Sequence, residues 1–212
     1  MRLTVFGATG MVGRRIVAQA LAGGDEVIAF GRNVESLIDK DNRSDQLTAF
    51  KGYVFSESDV LQAIEGSDAV VSALGGAIDG TDRSRSLGIK NIIRQMELKG
   101  LKRIVALGGI GVLNASDDHY LLDTPGYPAA LRAVGQEHML AYLFLQGSSL
   151  DWSFVCPPTI VDEEGSRNYI TSADYPPQQG GNEVMAGDLA DFMLRELKND
   201  QYLHHRIGIA SR

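Results

Sequence analysis

Leu3-Thr4-Val5-Phe6-Gly7-Ala8-Thr9-Gly10-Met11-Val12-Gly13 is the stretch that decides the fold. An apolar run feeds directly into a glycine-rich turn, and the turn opens a helix. Val12, Ile16, Val17, Ala20 and Leu21 fall on one helical face, and Gly23-Gly24 ends it. A second apolar run, Glu26-Val27-Ile28-Ala29-Phe30, completes a βαβ unit. In such a unit the backbone N–H groups at the helix start come up against a dinucleotide pyrophosphate. Gly7 permits the tight turn, Gly10 leaves room for phosphate, and Gly13 lets the helix lie close to the strand.

The same rhythm continues outward. A weaker third run spans Leu47 to Val54, and Ser58 is expected to cap a helix carrying Val60, Leu61 and Ile64. Asp68 to Leu74 reads as a fourth strand ending in Gly75-Gly76. A helix from about Ser84 carries Ile89, Ile92, Ile93 and Met96 and stops at Gly100. Arg103 to Leu107 is a fifth strand ending in Gly108-Gly109. A helix from Ala129 to Gln146 precedes a sixth strand, Trp152 to Cys156, which Pro157-Pro158 terminates. Asp188 to Leu197 is a last helix, and Ile207-Gly208-Ile209 is expected as an edge strand. Residues 1–212 thus read as a single α/β domain, a doubly wound Rossmann-type parallel sheet. The expected strand order is 3-2-1-4-5-6 plus the edge strand. Two polar segments, Asn114 to Pro128 and Val161 to Asn182, break the rhythm after strand ends. They are expected to be substrate loops, near 114–130 and 161–182.

Composition narrows the function classes. A formal net charge of −7 over 212 residues argues against a general nucleic-acid binder. No apolar segment approaches the roughly 20 residues needed to cross a bilayer. One cysteine allows no internal disulfide and fits a reducing compartment. With a strand beginning at the third residue, no leader peptide is expected, and the expected location is the cytoplasm.

The glycine loop from Gly7 to Gly13 resembles that of atypical short-chain dehydrogenases/reductases. Asp68 to Gly75 is similar to their fourth strand, and Asn91 with Gly100 to Val105 to their next helix and strand. Ser149-Leu150-Asp151-Trp152 leading to Cys156-Pro157-Pro158, and Asp188-Leu189-Ala190-Asp191-Phe192, match later family motifs. The resemblance is to the NmrA-like and biliverdin reductase B (flavin reductase-like) branch, and it runs nearly end to end. It implies NADPH-dependent reduction of flavins, tetrapyrroles or quinone-like compounds; the branch also contains redox sensors. The Tyr-x-x-x-Lys pair of classical members is missing, because Gln146 follows Tyr142 and Thr124 follows Tyr120 at that spacing. Leu107-Gly108-Gly109 stands where many members have a serine.

The second strand ends Phe30-Gly31-Arg32-Asn33, with no acid to accept from ribose hydroxyls. Arg32 there suits a ribose 2′-phosphate, with Asn33 as a further donor, so NADP is expected over NAD. Arg14 is a second candidate phosphate partner. With Gly7, Thr9, Gly10, Met11 and Val12 in the phosphate turn, the resemblance implies the rest of the cofactor site. Tyr53 and Val54 would border the adenine, with Tyr53 stacking on it. Leu74, Gly75 and Gly76 would pass beneath a ribose, and Leu107 and Gly108 would flank the nicotinamide ribose. Cys156, Pro157, Pro158 and Ile160 would border the nicotinamide, Cys156 as an inert thiol among apolar neighbours.

Candidate proton donors are His119, Tyr120 and Tyr127 in the first polar segment, and His138 and Tyr142 on one helical face. His204-His205, expected on a strand and pointing to opposite sides, do not make a metal pair, and no metal site is expected. The leading reading is an NADPH-dependent reductase of a small, planar, conjugated acceptor, a monomer or weak dimer. An NADP(H)-binding redox sensor is the alternative. A sugar-nucleotide epimerase or dehydratase ranks last, because the chain is too short for a further substrate domain.

Overall fold

The chain alternates strands and helices along nearly its whole length. The structure, a computed structural model, describes residues 1–37 and 45–212. The first half contains β1 (Arg2–Phe6), α1 (Met11–Ala22), β2 (Glu26–Gly31), β3 (Leu47–Lys51), α2 (Glu57–Ala63), β4 (Ala69–Ser72) and α3 (Ser86–Lys99). Next come β5 (Arg103–Leu107), β6 (Asn114–Ser116), β7 (His119–Tyr120), α4 (Arg132–Gln146) and β8 (Asp151–Cys156). The chain closes with β9 (Thr159–Val161), β10 (Tyr169–Ala173), β11 (Glu183–Met185), α5 (Ala186–Asn199) and β12 (Arg206–Ser211).

Eight strands form one sheet in the order β10-β12-β8-β5-β4-β1-β2-β3. All neighbours run parallel except β10, which pairs antiparallel with β12. In β1, at the centre, Leu3 is level with Val27 on one side and Ala69 on the other. Its side chains alternate between two cores. Val5 joins Ile16, Leu189 and Met193, beneath α1 and α5. Phe6 joins Phe30, Ile92, Met96 and Leu145, beneath the helices of the opposite face. Burial on both faces explains why the central strands are continuously apolar.

The sheet is the doubly wound one expected, and its first six strands keep the order 3-2-1-4-5-6. Four local expectations are corrected. Ile207-Gly208-Ile209 lies inside the sheet, because Tyr169–Ala173 pairs along its outer side. That outer strand comes from the 161–182 segment, so the segment is not wholly loop. Ser56, not Ser58, caps α2: its hydroxyl accepts from the Asp59 N–H at 3.3 Å. His204 is in a turn before β12 with φ 61°, not on a strand. Its ring tilts against Trp152, while His205 pairs with Asp174.

The two polar segments pack against each other. The Tyr175 hydroxyl donates to Asp117, and the Asn114 N–H donates to the Asp174 carbonyl. Arg206 reaches from β12 beneath them, donating to the Val112 carbonyl and to Asn114.

Candidate active site

A cleft of about 560 Å³ runs over the carboxyl ends of the central strands. Its floor is the turn after β1, where Gly7 has φ 77°. A Cβ on Gly7 would collide with the Ala73 carbonyl, and one on Gly13 with the Gly7 carbonyl. Strand, turn and helix therefore approach closer than any side chain allows. Gly10 caps α1 without a side-chain acceptor, and no acidic residue occupies the first turn. The N–H groups of that turn carry the positive end of the helix dipole and leave room for an anion. Thr9, Met11 and Val12 complete this wall.

The end of the cleft beyond β2 is formed by Arg32, Gly52, Tyr53, Val54 and Phe55. Arg32 is exposed, and among the described residues nothing pairs with its guanidinium. Tyr53 and Phe55 are more than half exposed, at 61% and 55%, so two aromatic rings meet solvent at the rim. Leu74, Gly75 and Gly76 line the middle. Leu107, Gly108, His138 and Ile160 line the far end. No carboxylate lines the cleft among the described residues.

His138 is the one candidate proton donor that the cleft exposes. Its Nδ1 is buried and has no hydrogen-bond partner, while the ring lies against the Gly109 backbone. Burial, reinforced by the positive charge of Arg85, pulls the imidazole down from 6.5 to about 3, so the ring is neutral at physiological pH.

The other candidates lie elsewhere. His119 is exposed on the β6–β7 hairpin, beside Ser116. Tyr120 and Tyr142 pack edge to face, with the Arg206 guanidinium 5.2 and 5.0 Å from their ring centroids. The Tyr142 hydroxyl accepts from Gln146 at 3.0 Å, turned into the core. Tyr127 fills the slot left by Gly111 and Gly135. Burial raises both the Tyr127 and Tyr142 hydroxyls above their usual range. Asn33, Cys156, Pro157 and Pro158 are also outside the lining. Cys156 turns beneath Gly108 into the core, where burial pushes the thiol up to about 12. Arg14 is taken by Asp162, which accepts from it at 2.5 and 2.7 Å and from Arg15 at 2.6 Å.

Ser84 and Arg85 are lining residues that the sequence reading passed over. Arg85 is 9% exposed and donates to the carbonyls of Gly76 and Ala77, both at 2.9 Å. It is also the N-cap residue of α3. A cation there opposes the helix dipole, and that is the signal that could have singled it out.

A parallel sheet with an uncapped glycine turn at the mouth of its first helix defines a Rossmann-type dinucleotide-binding protein. Residues 7–200 match the NAD(P)H-binding family model, and the chain belongs to that family. The fold is that of NAD(P)H-binding oxidoreductases. YwnB of Bacillus subtilis (strain 168), a protein of uncharacterised activity, is 26% identical, with 100% of this chain and 99% of YwnB covered. A solved structure from Burkholderia pseudomallei, provisionally named an exported protein, is 29% identical with TM-score 0.83, covering 99% of each chain. Another from Streptococcus pneumoniae TIGR4, provisionally named an NADH-flavin reductase, is 25% identical with TM-score 0.82, covering 100% of each chain. Among the described residues no helix is long and apolar enough to cross a membrane, and no group of side chains could hold a metal ion.

Proposed function

We propose that this protein is an NADPH-dependent reductase that passes hydride to a planar conjugated acceptor of flavin, quinone or tetrapyrrole type, in the cytoplasm. The observation that carries the reading is the division of the cleft. One end carries the bare α1 terminus and unpaired Arg32; at the other, Leu107, Gly108 and Ile160 form an apolar wall beside His138. In this reading the α1 terminus holds the pyrophosphate and Arg32 holds a ribose 2′-phosphate. Tyr53 stacks on the adenine, and Leu74, Gly75 and Gly76 underlie a ribose. Ile160 borders the nicotinamide. The bound cofactor supplies the hydride equivalent. The small and apolar far wall lets a flat acceptor stack beside the nicotinamide site, which is the positioning such a transfer needs. His138 stays neutral and offers a hydrogen bond rather than a proton. Solvent delivers the proton to the reduced acceptor.

The same shortage of proton donors favours a second reading, an NADP(H)-binding redox sensor with little turnover. One experiment separates them. The purified protein is titrated with NADPH and NADH by fluorescence, then assayed for NADPH oxidation with a flavin and quinone panel. Tight NADPH binding with oxidation by at least one acceptor supports the reductase. Tight binding without oxidation supports the sensor, and no binding to either nucleotide overturns both.

A further inference from the structure

Arg85 is nearly buried, yet no carboxylate lies within ion-pair distance of it among the described residues. The acids nearest to it are engaged elsewhere. Asp82 accepts from the Ser84 N–H at 2.8 Å. Glu137, 2% exposed, accepts from Arg83 at 2.6 Å and from the Ser86 hydroxyl at 2.5 Å. The Asp82 and Glu137 charges favour the guanidinium from beyond ion-pair distance, but burial without a direct ion pair is still costly. Two backbone carbonyls satisfy part of the guanidinium but do not neutralise it. Of the five donors on a guanidinium, these bonds use two, so others are left for a ligand. Its N-cap position adds a second unfavourable term, since the helix dipole also repels a cation there.

His138 lines the same cleft, and its buried Nδ1 also has no partner. Two side chains with polar atoms unsatisfied within the protein thus line one cavity, and one of them carries a full positive charge. Arg32 is the other arginine in the lining and belongs to the opposite end, beyond β2. A dinucleotide lying over the glycine turn with its 2′-phosphate at Arg32 leaves Arg85 for a second ligand.

The geometry points to Arg85 and His138 as an oxyanion subsite for the acceptor: the substrate is a conjugated ring system that carries an anionic oxygen group, a phosphate or a carboxylate. Arg85 pairs with the anion, and the His138 ring completes its hydrogen bonding. The inference rests on the reductase reading of the cleft and narrows its substrate class.

Two matched pairs of ligands test it without turnover. The protein is saturated with oxidised NADP. Dissociation constants are measured for FMN against riboflavin by flavin fluorescence, and for biliverdin against its dimethyl ester by difference absorbance. Each pair differs in its anionic group, and the two pairs distinguish phosphate from carboxylate. The expected result is that the anionic member of at least one pair binds roughly tenfold or more tightly than its neutral partner. Arg85→Met abolishes that preference and leaves NADP affinity within about threefold. Arg85→Lys keeps the charge and retains part of the preference, which separates charge from local packing. Equal affinities within both pairs overturn the subsite while leaving the reductase reading intact. So does an unchanged preference in Arg85→Met, or loss of NADP binding in both variants, which assigns Arg85 to the cofactor. Failure of all four ligands to bind the NADP-loaded protein overturns the flavin and tetrapyrrole classes and the subsite with them.

Discussion

The carbonyl oxygen of Gly7 occupies the space that a Cβ on Gly13 would need. Gly13→Ala therefore pushes α1 off β1, at the base of the cleft. The neighbouring atoms are backbone and have no rotamer to retreat into. The expected loss is about 1–3 kcal/mol, the usual range for overpacking a tight contact. Thermal melts and NADPH affinity both fall. Gly75→Ala is the contrast, because a Cβ there meets nothing within 4 Å. It leaves the melting temperature unchanged and weakens NADPH binding by intruding on the cleft. A normal melt for Gly13→Ala contradicts the packing argument.

Arg32 stands at a strand end that has no acid, and no described side chain neutralises it. Arg32→Ala weakens NADPH by roughly 10- to 100-fold, the worth of one charge-assisted contact. NADH, which lacks the 2′-phosphate, is unaffected within about twofold. Fluorescence titration of the variant with both nucleotides gives the answer. Equal losses for the two nucleotides remove Arg32 from the discrimination.

These two sites were legible in the sequence, because each depends on neighbours in the chain. Gly7, Gly10 and Gly13 sit in one turn, and Arg32 ends an apolar run whose strand is unambiguous. What stayed hidden depends on distant partners. Tyr169–Ala173 is short and half-buried, and it is a strand only because β12 offers an edge. Tyr142 shares a helix with His138, but the Arg206 cation beside its ring belongs to a strand far along the chain. Arg83-Ser84-Arg85 stands at the start of a helix and carries no apolar side chain. Only the fold shows one guanidinium bound to Glu137 and the other turned to the cleft.

Asp162 joins the segment after β9 to the start of α1 by accepting from both Arg14 and Arg15. The Arg14 hydrogen bond, followed by that of Arg15, holds its carboxyl below the usual carboxylate value. A depressed carboxyl contributes stability above its unfolded pKa and loses it as pH falls through the folded one. The pair is half exposed, so its effect is local. Asp162→Asn leaves the global melt nearly unchanged and speeds proteolysis within residues 163–168. Unchanged cleavage kinetics mean that the clamp does not restrain the segment.

Cys156 is fully buried, and its thiol is pushed up to about 12. The thiolate is the reactive form, so the native protein reacts with a thiol reagent at mildly alkaline pH far more slowly than a free cysteine does. Denaturant restores ordinary reactivity. Fast labelling of the folded protein contradicts this placement of the side chain.

His138 makes the sharpest pH prediction. Its folded-state value is about 3, against 6.5 ordinarily. Between these values the unfolded chain binds a proton that the folded chain refuses, so folding stability rises with pH across that window. The contribution is complete above the unfolded value and is lost as the pH falls. Linkage limits the slope to roughly 1.4 kcal/mol per pH unit for one proton. Carboxylates titrate mostly below pH 5, so melts at about pH 5 and 7 report on histidine, and the comparison with a His138 variant isolates this ring. The wild type is expected to melt lower at the acidic value, and His138→Gln flattens the difference. Parallel pH dependences in the two proteins mean that the ring is solvated enough to protonate in place. A protonated ring would add a second cation beside Arg85, so acceptor binding would then strengthen on acidification instead of staying level.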